Sequence, residues 1–168
     1  TRITPMRQGF DFLGHRVRLK WNRYRGAYTS VEIPKEKTQA LRPRIKRLTG
    51  RSMTNQSLAS LLRRLNPIIR GWANFYRHCF GAHGVFSRLD WYIWDRIWRW
   101  LRKKHPHAGA GKLYDRYCCR TANGRLKVWA EEGVELFFAN TLTVERFRLG
   151  NMSQPDFTKI PGKPDAYR

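Results

Sequence analysis

The sequence predicts a mainly α fold: an N-terminal β-hairpin, a three- to four-helix bundle and a small α+β tail. Three observations carry that reading. Apolar residues alternate between Phe10 and Leu19, as in a strand with one buried face. From Leu41 to Leu101 they recur instead at steps of three and four, the helical period. A composition of 41% hydrophobic and 14% aromatic residues supports a real core over 168 residues and argues against global disorder.

The hairpin spans residues 9–33. Gly9 and Gly14 mark bends, Lys20 to Gly26 is a basic turn, and Ala27 to Ile33 returns as the partner strand before Pro34 ends it. Between Pro34 and Leu48 the residues Leu41, Ile45 and Leu48 share a helical face, with Pro43 expected to kink or split the helix and Thr49-Gly50 closing it. Thr54 is suited to cap a second helix that buries Leu58, Leu61, Leu62 and Leu65 and leaves Arg63 and Arg64 outside. Asn66 and Pro67 suit the cap and first position of a third helix over 67–79. Its core stripe is Ile68, Trp72, Phe75 and Cys79, and its opposite face is Arg70, Asn74 and Arg77.

Gly81 to Gly84 breaks the pattern. A longer helix from about Phe86 to Lys104 then carries Trp91, Trp94, Trp98 and Leu101 as its core stripe. Tyr92, Arg96, Arg99 and Lys103 form a separate stripe, and Trp100, off both, is expected to be a partly exposed contact. The aromatic residues expected in the structural core are thus Trp72, Phe75, Trp91, Trp94 and Trp98. His105 to Gly111 reads as a hinge, followed by a short helix around Leu113–Cys119 and strands at Arg125–Ala130 and Val134–Ala139. The proline-bearing tail after Gly150 should be extended. Three units result: 1–33, 34–104 and 105–168.

Charge narrows the function. The chain has 34 Lys+Arg against 12 Asp+Glu, net +22. Residues 34–104 hold 17 basic and 3 acidic residues, net +14, so salt-bridge lacing with Glu36, Asp90 and Asp95 cannot absorb the surplus. Such a field favours a polyanionic partner, nucleic acid first and an acidic membrane surface second. Arginine outnumbers lysine here, which suits bidentate phosphate contacts and stacking on RNA bases. No apolar run reaches the 18 or so residues of a membrane span. The polar opening Thr1–Gln8 lacks a secretory pattern, and Cys79, Cys118 and Cys119 form no disulfide framework. An intracellular setting is the expectation, with no membrane partner. Cys118-Cys119 with His105 and His107 lacks the C-x-x-C spacing of a zinc site, and Asp90 and Asp95 do not share a helical face, so neither metal nor cofactor is expected. No nucleophile stands with a base.

Four passages resemble one family: Gly9-Phe10-Asp11-Phe12-Leu13-Gly14, Ile33-Pro34-Lys35-Glu36-Lys37, Asn66 through Tyr76, and Val85-Phe86-Ser87-Arg88-Leu89-Asp90 with Trp94 to Trp100 behind it. Together they resemble the C-terminal part of a group II intron-encoded reverse transcriptase/maturase over about residues 9–106. The last sixty residues are more loosely similar to the tail that follows the maturase-specific domain (domain X, or thumb) in some bacterial members. The resemblance implies that Phe12, Leu13 and Gly14 belong to a palm-edge hairpin and that 34–104 is the thumb. It implies RNA contacts at Arg63, Arg64, Arg70, Arg77, Arg96 and Arg99, and Asn74, Arg88, Arg102, Lys103 and Lys104 are expected to join them.

The family's paired metal-binding aspartates and its endonuclease motif have no counterpart in this sequence, so the expectation is a non-enzyme that helps intron RNA fold and splice. The partners implied are group II intron RNA, a template–primer duplex or DNA target, and a separately encoded reverse transcriptase palm. A thumb fragment acting only with that palm is a second expectation, and a generic nucleic-acid-binding domain a third.

Overall fold

The computed structural model describes residues 4–24, 26–120 and 127–144. Their fold is mainly α, with a three-stranded sheet before the helices and a small second sheet after them. The order is β1 (Phe10–Phe12), β2 (His15–Asn22), β3 (Gly26–Glu32), α1 (Lys35–Leu48), α2 (Leu58–Tyr76), α3 (Ala82–Lys104), α4 (Ala110–Tyr117), β4 (Cys118–Arg120), β5 (Lys127–Glu131) and β6 (Val134–Glu135). Single 3-10 turns lie at Arg51–Met53 and Ala139–Thr141. The expected tail after Gly150 lies outside the described residues.

The N-terminal strands form an antiparallel meander rather than a two-stranded hairpin. The alternating run from Phe10 to Leu19 folds on itself at Leu13-Gly14, which joins the pair Phe12–His15. Both turn residues have positive φ, +47° and +79°, the primed geometry whose twist matches that of the flanking strands. Gly9, also at positive φ (+75°), bends the chain before β1 as expected. Its position leaves no room for a side chain, because an added Cβ would meet the Arg18 Cβ at 2.9 Å.

The helices differ from the sequence expectation in one instructive way. Both internal prolines are tolerated: Pro43 lies inside α1 and Pro67 inside α2, so residues 58–76 are one helix rather than two. A proline deprives the carbonyl four residues earlier of its donor, here Gln39 and Arg63. All four residues are exposed, so water can take the place of the lost bond. Burial of Leu58, Leu61, Leu62, Leu65, Ile69, Ala73 and Tyr76 along one face holds α2 continuous. Its cap is Ser57, whose hydroxyl accepts from the Ser60 amide at 3.1 Å, not Thr54. Leu41, Ile45 and Leu48 are buried and Thr49 ends α1, as expected. Gly81, at φ +72°, starts α3, while Gly84 lies within that helix.

The burial stripes of α2 and α3 are rotated from those expected. On α3 the inward positions are Phe86, Leu89, Ile93, Ile97 and Trp100, all at most 2% exposed. Trp91 is 67% exposed and Phe75 53%, so neither belongs to the core. Trp100 is fully buried, and its indole N–H donates to the Met53 carbonyl at 3.2 Å. Two stripes of equal period compete on α3, and the wider indoles suggested the wrong one. Ile93 and Ile97 fill the narrow interior between helices, which leaves Trp94 and Trp98 half-buried at its edge and Trp72 packed against the core on α2. There Trp94 and Trp98 stack on Trp129 of β5, with ring centroids 4.4 and 5.9 Å apart. One core runs from Leu41 to Ala139 and includes Leu113, Tyr117, Trp129 and Leu136. The second sheet differs from expectation: Cys118–Arg120 supplies a third strand, and β6 is only two residues long before the 3-10 turn.

Candidate nucleic-acid interface

The residues facing inward on α3 fix those facing outward. Arg88, Trp91, Asp95, Arg99 and Arg102 follow one another at steps of three, four, four and three and form a stripe on the solvent side. Beside it Arg96, Arg99, Arg102 and Lys103, with Trp98 and Pro106, line a groove of about 580 Å³. Four of the expected contact residues therefore meet at one place.

Each cation of the groove is held differently. The Arg96 guanidinium donates to the Thr49 hydroxyl and carbonyl, both at 3.0 Å, and to the Lys46 carbonyl at 3.4 Å. It thereby caps the C-terminus of α1, where free carbonyls favour a cation, and joins that turn, with Lys46 and Arg47, to the groove. Arg99 pairs with Asp95 at 2.9 Å one turn earlier. Arg102 lies over the Trp98 ring, 5.7 Å from its centroid. Lys103 is exposed. Next to Pro106, the His105 Nε2 and the Tyr117 hydroxyl are 2.8 Å apart. Burial, then the charges of Lys104 and Arg116, hold the His105 pKa below its usual value.

The other expected contacts lie elsewhere. Arg63, Arg70 and Asn74 line an exposed stripe of α2. Arg63 reaches Glu132 at 3.4 Å, and Arg70 lies over the Phe137 ring, 4.8 Å from its centroid. Arg64 donates to the Gln56 carboxamide at 3.4 Å, and Arg77 donates to the His78 ring at 3.1 Å. Arg88 is exposed near the start of α3. The Lys104 ammonium donates to the Thr54 and Gln56 carbonyls, each at 2.9 Å, and so pins the loop before α2.

Residues 38–118, from α1 through α4, match the family model of the group II intron maturase-specific domain. This segment is similar to that family. The groove lies wholly inside it, and the chain has a group II intron maturase-related role. No curated protein matches the chain. Among the described residues no helix is long and apolar enough to cross a membrane.

Two polar residues of the matched segment hold the chain that follows β6 in a way that the sequence did not suggest. Asn66, read as a cap, lies mid-helix; its side chain donates to the Glu135 carbonyl at 2.8 Å and accepts from the Phe137 amide at 3.0 Å. Asp90, 4% exposed, accepts from the Ala139 and Asn140 amides, each at 2.9 Å. The one sequence signal for Asp90 is an acid set between Leu89 and Trp91 in a basic helix.

Proposed function

We propose that this protein binds folded group II intron RNA through the basic outward side of α3 and the end of α1, and so helps the intron fold and splice. The splicing chemistry stays with the RNA; the protein supplies positive charge and position. In this reading 34–104 is the binding unit, 1–33 the part that resembles a palm edge, and 105–168 a hinge and small tail. The observation that carries the proposal is the convergence of Arg96, Arg99, Arg102 and Lys103 on one groove within the matched segment. Phosphate is the group such a cluster suits best, and folded RNA adds 2′-hydroxyls within reach of the same side chains.

The test is a binding titration against a group II intron RNA, an unrelated folded RNA and duplex DNA at several salt concentrations. The expected result is a preference for the intron that survives moderate salt, since only the non-specific part of the affinity is shared by all three. Equal, steeply salt-sensitive affinities would reduce the function to generic nucleic-acid binding.

A second reading has its own support. Phe12, Leu13 and Trp21 of the N-terminal sheet are 60–77% exposed, a surface suited to a further protein unit such as a separately encoded palm. Concentration-dependent self-association of the chain, abolished by that palm, would favour this reading.

A further inference from the structure

Next to the basic groove, the outward stripe of α3 borders a second cavity of about 420 Å³. Trp91, Trp94 and Phe138 form its aromatic walls, and Ser87, Asn140 and Lys127 its polar edge. The volume lies within the range of about 300–1,000 Å³ typical of ligand pockets. Resting on the RNA-binding reading above, we propose that this cavity receives one unstacked nucleobase of a single-stranded stretch of RNA.

The walls have the geometry that stacking needs. Trp94 and Phe138 lie within 21° of parallel with centroids 6.3 Å apart. Trp94 in turn stacks on the fully buried Trp129 at 4.4 Å, so the aromatic wall is backed by the core and costs little to order. Trp91 lines the cavity and is 67% exposed, so folding gains little from its indole and a planar ligand gains much. The polar edge suits a base and its phosphate. Among the described residues no partner bonds the Asn140 carboxamide, which offers both a donor and an acceptor. Lys127 is exposed at the rim. The carboxylate in the wall, Asp90, has an oxygen occupied by each of two backbone amides.

The cavity and the groove also share one line. Arg88, Trp91, Asp95, Arg99 and Arg102 lie along the same side of α3, with Asp95 ion-paired to Arg99, and Trp91 precedes Arg99 by about 12 Å at 1.5 Å per residue. A strand with phosphates in the groove can therefore deliver a base to the cavity. Because every base has a π-face and a carboxamide can pair with several edges, the site takes an unpaired nucleotide without strong base identity.

The experiment compares binding of the full chain to a short oligouridylate and to an abasic ribose-phosphate oligomer of equal length and charge, with folded intron RNA alongside. The wild type should prefer the base-bearing strand by about tenfold, within the range of one base–aromatic stack. Trp91→Ala should abolish that preference, Trp91→Phe should keep most of it, and Asn140→Ala should weaken it, all with an unchanged dependence on salt. Trp91 is exposed, so its variants should melt like the wild type. A wild-type protein that binds intron RNA yet shows no base preference, or a Trp91→Ala protein that keeps it, overturns the nucleobase site and leaves the RNA reading standing. Failure of the wild type to bind any of the three RNAs overturns both.

Discussion

The two small sheets begin from the same local device and join the helices in opposite ways. Each uses a two-residue turn at positive φ, Leu13-Gly14 between β1 and β2 and Glu132-Gly133 between β5 and β6. The C-terminal sheet is sewn into the core. Trp129 is fully buried among Trp94, Trp98 and Tyr114, and Asn66 and Asp90 hold the chain that follows β6. The N-terminal sheet is held at its margin: the Phe80 amide donates to the Val31 carbonyl at 2.7 Å, and the Tyr76 hydroxyl donates to the Gly14 carbonyl at 3.2 Å. One of its faces carries Phe12 and Trp21 into solvent. Identical turn chemistry thus sets local shape only; the partners each sheet finds on the helices decide how firmly it is bound.

That contrast can be broken most readily at Trp129. Trp129→Ala should cost about 3–5 kcal/mol in denaturant unfolding, the usual range for truncating a buried aromatic. A loss under 1 kcal/mol would mean that the C-terminal sheet is not part of the core. Asp90→Ala should cost about 2–3 kcal/mol, because it strands two amides in the interior, and should speed hydrogen exchange at Ala139 and Asn140 first.

Acid sharpens the contrast, because the two sheets respond with opposite sign. Burial holds the Asp90 carboxyl above its usual value in spite of the two amide bonds. Between about pH 4 and that raised value the folded state binds more protons than the unfolded one, so this group favours folding as pH falls through the window. Burial acts on Glu32 in the same direction. Hydrogen bonds from Lys20 and Ser30, with the charges of Lys20 and Arg18, outweigh it and leave the carboxyl below its usual value. Its contribution is present above about pH 4.5 and is lost as pH falls through the lowered folded value. Exchange in β2 and β3 should therefore rise in acid before exchange in β5. Glu32→Gln should remove that pH dependence at a cost of up to about 1 kcal/mol. Simultaneous loosening of both sheets would erase the distinction.

The smallest effect concerns the turns. Leu13 holds a left-handed conformation that costs a non-glycine residue roughly 1–2 kcal/mol, and its side chain is 77% exposed. Leu13→Asn should raise stability by about 1 kcal/mol, read as a higher melting temperature. No gain would mean that Leu13 packs against something that outweighs the strain.

Much of this was legible in the sequence, and the misses have physical causes. Leu41, Ile45 and Leu48 gave α1 its inner face because no competing stripe was present. On α3 two stripes of the same period ran side by side, and only tertiary packing could choose between Ile93-Ile97-Trp100 and Trp91-Trp94-Trp98. Pro67 looked like a helix start because sequence does not say which carbonyls face water. The basic character of the groove was visible in Arg96, Arg99 and Lys103. The commitment of Arg96 to the end of α1 was not, since that bond joins residues 47 positions apart.

The most direct test of the central claim replaces Arg99, Arg102 and Lys103 together with glutamine and follows intron RNA affinity against salt. All three are exposed, so the fold should be kept. If the outward side of α3 holds phosphates, the slope of log affinity against log salt should fall by roughly two to three units, about 0.7–0.9 for each phosphate that is no longer neutralised. An unchanged slope and affinity, in a protein that melts like the wild type, would contradict the account.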